Sequence, residues 1–312
     1  MFEVIMYDGG VYRSAELFEL IEDVGGAVLQ RIRSSQMLTV TMSIPSKDKD
    51  VVVALCKEIG GEVKEVSLAG TEIAVVGMTL GRHHMPHPIC DIAEALRRKG
   101  ALTIVMGLAR GRGKSTSQIS ASEVGIINEY DAAIFSLGNF KSCIEDKKEM
   151  MKDIKIPLIL VCGPKPDGIE DYCEALVTGV GRKSERMRSS DERKKLDEIV
   201  SIAEEVLYEK RMSVSEDPLF VYPSEVKQVL ENYPPLDMCL RPSPIVLHMD
   251  GLRAKIPYDE NIKAISDIMI YDRRLGDIAV ITESKLDRSS ILMRIKTRSE
   301  VEYDDARASK QA

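Results

Sequence analysis

The sequence predicts an α/β protein with a central open parallel sheet, flanked by an N-terminal ferredoxin-like α+β unit and a C-terminal α+β region. Between residues 70 and 181, continuous apolar runs alternate with helical stretches, a pattern typical of strands buried on both faces of a parallel sheet. Residues 1–69 follow the element order of a split β-α-β unit. Residues 182–312 combine a long helical stretch with short strands, so we predict three domains with these boundaries.

The composition limits the classes of function. The 312 residues are enough for two or three domains, and 44% of them are hydrophobic, as in an ordinary globular protein. The net charge of −7 argues against nucleic-acid binding, which needs a positive surface. We find neither a signal-peptide pattern nor an apolar run near the ~20 residues that cross a bilayer. The six scattered cysteines form no disulfide framework, so we expect a cytoplasmic protein without nucleic-acid or membrane partners.

The predicted order of elements in the N-terminal domain is strand, helix, strand, strand, helix, strand. Its first helix, within SAELFELIEDVGG, places Leu17, Leu20 and Ile21 on one face and ends at a glycine pair. The strands are FEVIMY, AVLQRIRSS, MLTVTMSI and EVKEVSL, and the second helix lies within SKDKDVVVALCKEIGG. Many unrelated functions share this fold, so it does not identify a function.

The middle domain contains the four apolar runs EIAVVGM, ALTIVMG, DAAIFSL and PLILVCG, each followed by a loop and a helical stretch. The helix from Pro88 to Lys99 is clearly marked, because proline suits its first turn and Gly100 stops it. We also expect a helix after the fourth run, with Cys173 inside it.

The C-terminal region begins with an exposed charged linker, GRKSERMRSSDERKK. Ser189 and Glu192 have the spacing of a capping box that would open a long amphipathic helix. The apolar face of that helix would comprise Leu196, Ile199, Val200, Ala203, Val206 and Leu207. After the proline-broken loop YPPLDMCLRPSP, residues 244–301 look rich in strands, and we expect the last ten residues to be frayed.

Chemistry is expected where the parallel strands end, because ligands of open α/β sheets bind outside the carboxyl ends of the strands. The loops there are TLGRHHMPHPIC, LARGRGKSTSQ, GNFKSC and VCGPKPDG. Their basic residues, set against one acid (Asp167), are Arg82, Arg110, Arg112, Lys114, Lys141 and Lys165. The same loops hold His83, His84, His87, Cys90, Cys143 and Cys162. The sequence therefore predicts a basic, glycine-rich edge with metal-binding side chains.

The segment GRGKST resembles a phosphate loop but departs from the pattern. Leu108 stands where that pattern needs glycine, and several polar residues separate Lys114 from the next helix. We therefore expect no direct ATP binding. The backbone amides of Gly111 and Gly113 could still bind an anion.

Each cysteine has a structural alternative to a ligand role, because unpaired cysteine is often buried. We assign Cys56 and Cys173 to the core, favour a ligand role for Cys90 and Cys162, and leave Cys239 open. His84, His87 and Cys90 are spaced three apart and would share a helical face, although the prolines at 86 and 88 oppose a helix there.

Two metal centres can be compared. A structural zinc site usually has paired cysteines, which this sequence lacks. An iron–sulfur centre held by thiolates, with histidine as an occasional ligand, would also explain the basic loops through charge compensation.

The run GRHHMPHPICDIAEALRRKGA resembles the central motif of the methyl-coenzyme M reductase operon protein C family, through Gly81, Arg82, His84, Pro88 and Cys90. The resemblance covers about residues 71–181 and includes the runs LGNFKSCI and PLILVCGPKPDGIEDY, with Lys141 and Cys162. His87 and Cys143 do not match the family pattern. The additional N-terminal and C-terminal parts are similar to methanogenesis marker protein 7, a longer paralogue of that family.

The resemblance implies a role in methanogenic archaea, beside the ATP-dependent complex that reductively activates methyl-coenzyme M reductase. The implied cofactor is a complex iron–sulfur cluster of the nitrogenase-cofactor-precursor kind. The implied partners are methyl-coenzyme M reductase, its operon protein C, other methanogenesis marker proteins and a separate ATPase subunit. Cys90 and Cys162 would be ligands, His84 a further candidate, and Arg82 and Lys141 neighbours of the cluster.

The sequence and the resemblance support one main hypothesis and two alternatives. The first is an electron-transfer subunit without turnover of its own, in which His84 or His87 completes a cluster held by Cys90 and Cys162, and Arg82, Arg110, Arg112 and Lys141 stabilise its charge. The second is a structural adaptor without metal. The third, an enzyme using histidine as an acid–base group, is weaker because no nucleophile or carboxylate accompanies the histidines.

Overall fold

The computed structural model describes residues 2–33, 36–77, 87–108, 119–139, 141–145, 151–180, 189–241, 243–287 and 289–309. The chain divides into two compact units. Unit 1 comprises Met1–Thr71, Asp217–Glu283 and Arg288–Ala312, and unit 2 comprises Glu72–Glu216 and Ser284–Asp287. The predicted α/β class is confirmed, and the division of the chain into three domains at residues 69 and 181 stays a prediction.

The N-terminal part of unit 1 has the predicted split β-α-β order. Its elements are β1 (Phe2–Gly10), α1 (Ser14–Asp23), β2 (Ala27–Arg33), β3 (Met37–Pro45), α2 (Lys49–Glu58) and β4 (Glu62–Glu65). The strands form an antiparallel sheet in the order β2-β3-β1-β4. Leu17 and Ile21 of α1 are fully buried in the core of this sheet, as their helical spacing predicts.

Tyr7 fills the centre of that core. Its ring is fully buried, and its hydroxyl donates to the carbonyl oxygen of Gly10 at 3.2 Å. A Cβ atom added at Gly61 would lie 2.7 Å from Cζ of the ring, and one added at Gly9 would lie 2.5 Å from it. The tyrosine therefore requires glycine at both positions.

The rest of unit 1 contains more helix than the sequence predicts. Its elements are α7 (Pro223–Glu231), α8 (Pro234–Asp237), β10 (Ile245–Leu247), β11 (Gly251–Ala254), α9 (Tyr258–Ser266), β12 (Met269–Ile270), β13 (Arg273–Arg274), α10 (Leu275–Ile278), β14 (Ala279–Glu283), β15 (Ile291–Ile295) and α11 (Arg298–Ser309). Strands β10-β11-β15-β14 form an antiparallel sheet, and β12 pairs with β13. We expected the last ten residues to be frayed, and this prediction was wrong for the residues up to 309. They belong to α11, which ion pairs hold in place.

Unit 2 contains the parallel sheet. Its elements are β5 (Glu72–Gly77), α3 (His87–Arg98), β6 (Leu102–Gly107), α4 (Ala121–Ile127), β7 (Ala132–Gly138), α5 (Lys141–Glu145), β8 (Leu158–Cys162), β9 (Ala175–Val177) and α6 (Ser189–Glu216). The sheet order is β6-β5-β7-β8-β9, and all pairs are parallel. In chain order this is 2-1-3-4-5, the order of flavodoxin-like doubly wound sheets.

One predicted helix is a strand instead. Cys173 does not lie inside a helix, because a single 3₁₀ turn (Glu170–Tyr172) precedes it and its own backbone is extended. The amide of Glu174 donates to the carbonyl oxygen of Leu158 at 3.0 Å, and the Glu174 carboxylate accepts from the amide of Leu158. These bonds to β8 replace the bonds that a helix would make, and they start β9.

A buried carboxylate secures the amino ends of the parallel strands. Asp131 is 1% exposed, and it accepts a hydrogen bond from the amide of Glu72 at 2.8 Å. Lys210 of α6 lies 3.5 Å from the same carboxylate and donates to the carbonyl oxygen of Asp131 at 3.1 Å. The long helix is thereby attached to the start of β7. The predicted apolar face of α6 is buried from Ile199 to Leu207, which confirms its amphipathic reading.

Within the described ranges of the chain, none of the helices has the length and apolar character needed to cross a bilayer.

Candidate functional site

The carboxyl edge of the parallel sheet contains the topological switch point. From β5 the chain continues to β6 on one side, and β7 lies on the other side of β5. Ligands of doubly wound sheets bind at such a point, because the loops leaving the two strands diverge there. The elements that follow these strands are α3 after β5 and α5 after β7. Cys162 ends β8, which is one strand further along the edge.

The first turn of α3 lies directly over the end of β5. A Cβ atom added at Gly77, the last residue of β5, would lie 2.5 Å from Cδ1 of Ile89. Ile89, Ile92 and Leu96 are buried. Cys90 follows Ile89 but is exposed. Its thiol is therefore available to a ligand at the carboxyl edge.

Cys162 has a different environment. The residue is fully buried, and its Sγ donates to the carbonyl oxygen of Pro164 at 3.1 Å. Burial raises the pKa of the Cys162 thiol from its ordinary 9.0 to about 11, with a smaller contribution from Cys173. At neutral pH this cysteine is a protonated core thiol, whereas the thiolate is the form that binds metal.

Cys162 and the helix that carries Cys90 lie on opposite faces of the sheet. Successive strand residues alternate between faces, and Leu158, Leu160 and Cys162 pack into one apolar cluster with Ile144 of α5. Gly77 belongs to the other face, where Ile89 of α3 contacts it. Helix α3 and the end of β8 thus both lie at the carboxyl edge, but the Cys162 sulfur is on the face of the sheet opposite to α3.

Lys141, the first residue of α5, already has acidic partners. Its Nζ lies 2.8 Å from Asp167 and 3.8 Å from Glu145. The hydrogen bond to Asp167 is the main cause of the raised pKa of Lys141. Glu145 also accepts from the amide of Asp167 at 3.0 Å, so the loop after β8 is attached to α5. Lys141 can stabilise an anionic ligand only by sharing its charge with these carboxylates.

Six of the remaining predicted site residues lie outside the described residues, namely Arg82, His83, His84, Arg110, Arg112 and Lys114. The backbone of His87 begins α3, which places it one turn before Cys90. The backbone at residue 87 is thus helical, although we expected the following proline to keep it extended. Proline is tolerated in a first helical turn, where its missing N–H has no intrahelical partner.

The described residues fit an iron–sulfur cluster only in part. Among them, no group of three or more histidine, cysteine, aspartate or glutamate side chains could hold a metal ion. Cys90 offers one exposed sulfur. Cys162 could contribute a second only if its side chain turned out of the core. Any further ligand would come from side chains outside the described ones, among them those of His84, His87 and Cys143, or from a partner.

One feature of this edge was missed by the sequence analysis. The side chain of Asn139, directly after β7, occupies the space that a side chain at Gly163 would need. The amide of Gly163 donates to the carbonyl oxygen of Gly138 at 2.9 Å, and the amide of Gly179 donates to Gly163 at 2.7 Å. The ends of β7, β8 and β9 are thereby held together. The glycine directly after Cys162 was the available sequence signal.

Comparisons with known proteins agree with the resemblance of the motifs. The family model for methyl-coenzyme M reductase operon protein C matches residues 2–268. The uncharacterized protein MJ0094 of Methanocaldococcus jannaschii is 38% identical over 305 residues, which cover 97% of each chain. The methyl-coenzyme M reductase operon protein C of Methanococcus vannielii is 31% identical over 114 residues, which cover 33% of this chain and 57% of that protein.

Similarity to solved structures adds nothing to this assignment. The sugar isomerase domain of an RpiR transcription factor from Sphaerobacter thermophilus matches 55% of this chain and 87% of its own, at 13% identity and a TM-score of 0.29. Such a low score supports no argument. The family match, by contrast, spans most of the chain. This protein therefore belongs to the methyl-coenzyme M reductase operon protein C family.

Proposed function

We propose that this protein functions in methanogenesis as an electron-transfer subunit of the ATP-dependent complex that activates methyl-coenzyme M reductase. In this proposal it has no turnover of its own, and it holds a complex iron–sulfur cluster at the carboxyl edge of the parallel sheet. Family membership supports the methanogenic context, because the family and several relatives are named after the methyl-coenzyme M reductase operon. The partners are the reductase, operon protein C, other methanogenesis marker proteins and a separate ATPase subunit.

One structural observation supports this site above others. Cys90 is exposed in the first turn of α3, and that turn covers the end of β5 at the switch point. A cluster bound there would provide one-electron transfer. Cys90 would be its protein ligand from α3, with His84 or His87 from the same segment. Cys162 would become a second ligand by leaving its hydrogen bond to Pro164.

The basic residues of the edge have a supporting role in this proposal. Lys141 lies at the start of α5 and would orient its ammonium group toward the anionic cluster while retaining Asp167. Arg82, Arg110 and Arg112 would supply further positive charge. Hydrogen bonds from such groups set the charge balance of a bound cluster.

The test measures iron and acid-labile sulfide in protein that is purified with its partners without oxygen. We expect Cys90→Ser to lose most of the iron, and Cys162→Ser to lose a comparable share. Cys56→Ser is the matched control, because Cys56 is also fully buried with a pKa raised by burial to about 11 but lies in unit 1. That variant should retain its iron. Normal iron content in both test variants, with an unchanged circular dichroism spectrum, would remove the ligand assignment.

A second function is favoured by the environment of Cys162. Its thiol is buried, protonated and hydrogen-bonded within an apolar cluster, as expected for a cysteine that only fills space. Under this alternative the protein is a structural adaptor of the same complex without metal. Cys90→Ser and Cys162→Ser would then assemble with the partners and support activation of the reductase at the wild-type level.

A further inference from the structure

Helix α11 is unusual because hardly any of its surface is apolar. Its sequence is RSEVEYDDARAS, and Val301 is the only buried residue among its described side chains. Residues 302–307 are all exposed. A helix of this length is marginal on its own, and most helices in proteins are stabilised by burying an apolar face. Something other than apolar packing must hold α11 in place.

Three ion pairs attach α11 to the rest of unit 1. Arg273 of β13 donates both of its terminal nitrogens to Asp305, at 3.0 and 2.7 Å. Arg294 of β15 makes the same forked contact with Glu300, at 3.1 and 2.9 Å. Lys296 donates to Asp304 at 2.9 Å. We call the three cations the basic strip, defined as Arg273, Arg294 and Lys296.

These ion pairs are partly open to water, and the side chains of Arg273, Arg294 and Lys296 are 34%, 45% and 16% exposed. The side chains of Asp305, Glu300 and Asp304 are 49%, 42% and 51% exposed, respectively. Exposed ion pairs contribute little individually, and salt screens them. The contribution of these ion pairs therefore depends on ionic strength, and α11 is held in addition by the hydrogen bond from the Ser299 hydroxyl to Asp217.

A groove beside the basic strip remains unfilled by α11. Its volume is about 580 Å³, and the strip residues Arg294 and Lys296 form part of its wall. Val280 also lines it and is 41% exposed, whereas Ser299, Glu300, Tyr303 and Asp304 of α11 itself form the opposite wall. A larger apolar side chain on a helix in the place of α11 would cover Val280.

We propose that α11 masks the basic strip, and that an acidic helical segment of a partner protein displaces α11 from it. The chemistry of the partner follows from α11 itself, which places carboxylates at positions 300, 304 and 305 against the three cations. A partner segment with the same charges and an added apolar side chain would also fill the groove, and it would therefore bind more tightly than α11. The proposal involves unit 1 alone and does not depend on a cluster in unit 2.

The test uses the full chain with Asp304→Asn and Asp305→Asn combined. This variant keeps Glu300, whose carboxylate also accepts from the amide of Thr297 at 2.9 Å and so caps the helix. Glu302→Lys is the matched control, because Glu302 is exposed and the described structure gives it no ion pair. Both changes alter the net charge equally, since one removes two carboxylates and the other replaces a carboxylate by an ammonium.

The probe is a fluorescently labelled peptide with the sequence of residues 298–309. We expect it to bind the double variant at least tenfold more tightly than it binds the wild type or Glu302→Lys, as measured by fluorescence anisotropy at low salt. Added salt should weaken this binding, and a scrambled peptide should not bind. Amide hydrogen exchange in residues 298–309 should be faster in the double variant, with β14 and β15 unchanged. Equal peptide binding by all three proteins, or no binding by the double variant, would overturn the proposal.

Discussion

The reactivity of each cysteine in this protein follows from the water and the partners around its sulfur. Cys90 is exposed on α3, whereas Cys162 is fully buried and its thiol donates a hydrogen bond to the carbonyl oxygen of Pro164. Cys56 is likewise buried, within α2. A thiol reacts as its thiolate, so burial lowers reactivity both by restricting access and by raising the pKa.

We therefore expect iodoacetamide to modify Cys90 first in the folded protein at pH 7.5. Cys162 and Cys56 should react much more slowly, because their sulfurs are buried and burial raises the pKa of each thiol to about 11. Their rates should keep rising toward pH 11. Mass spectrometry of the digested protein measures the modification of each cysteine. Equal rates at Cys90 and Cys162 would mean that Cys162 is not a core thiol.

Helix α11 is an element whose stability is directly linked to charge. The Ser299 hydroxyl donates to Asp217 and lowers the pKa of that carboxyl, while Arg294 and Arg273 lower the pKa values of Glu300 and Asp305. A carboxyl whose pKa is lower in the folded state stabilises that state above its unfolded pKa. This stabilisation disappears as the pH falls through the folded value.

We accordingly expect α11 to loosen as the pH falls below about 4.5, the ordinary pKa of glutamate, and further below 3.8, that of aspartate. Amide hydrogen exchange of residues 298–309, corrected for the intrinsic effect of pH, measures this change. Asp305→Asn should reduce the dependence on pH, and Glu302→Gln should leave it unchanged. Protection of α11 that stays constant from pH 7 to pH 3 would contradict the assignment.

At the scale of the whole molecule, the two units have separate cores with different weak points. In unit 1 the ring of Tyr7 leaves no room for a side chain at Gly61. In unit 2 the carboxylate of Asp131 is buried against Glu72 and Lys210. Because each interaction lies inside one unit, its loss should destabilise that unit first.

We expect Gly61→Ala to lower the free energy of unfolding by about 1–3 kcal/mol through overpacking. Asp131→Ala should lower it by about 2–4 kcal/mol, because Lys210 loses its buried partner. Hydrogen exchange should report the loss in unit 1 for the first variant and in unit 2 for the second. Gly10→Ala is the control, since its nearest neighbouring atom lies at 3.9 Å. A uniform loss of protection in both variants would show that the chain unfolds as one cooperative body.

Much of this fold could be predicted from local patterns. The helical spacing of Leu17 and Ile21 identifies the buried face of α1, and the spacing from Ile199 to Leu207 does so for α6. The continuous apolar runs identify β5, β7 and β8 because those strands are buried on both faces. The site motif is local as well, so it identified the family without any structure.

Other features could not be predicted because their causes lie far away in the sequence. The three residues of β9 form a strand only because β8 supplies their hydrogen bonds. Helix α11 is polar along its length, and its ordering depends on cations from β13, from β15 and from Lys296 directly after β15. Neither cause is visible in the local sequence of the element.

The sequence by itself determined the α/β class and the buried faces of the long elements, and it predicted which residues gather at the carboxyl edge of the sheet. Only the tertiary structure decided that Cys90 is exposed while Cys162 lies in the core on the other face. The physical reason is that periodicity depends on neighbours along the chain. The face and the solvent exposure of a strand residue depend instead on pairing register and on what packs against it.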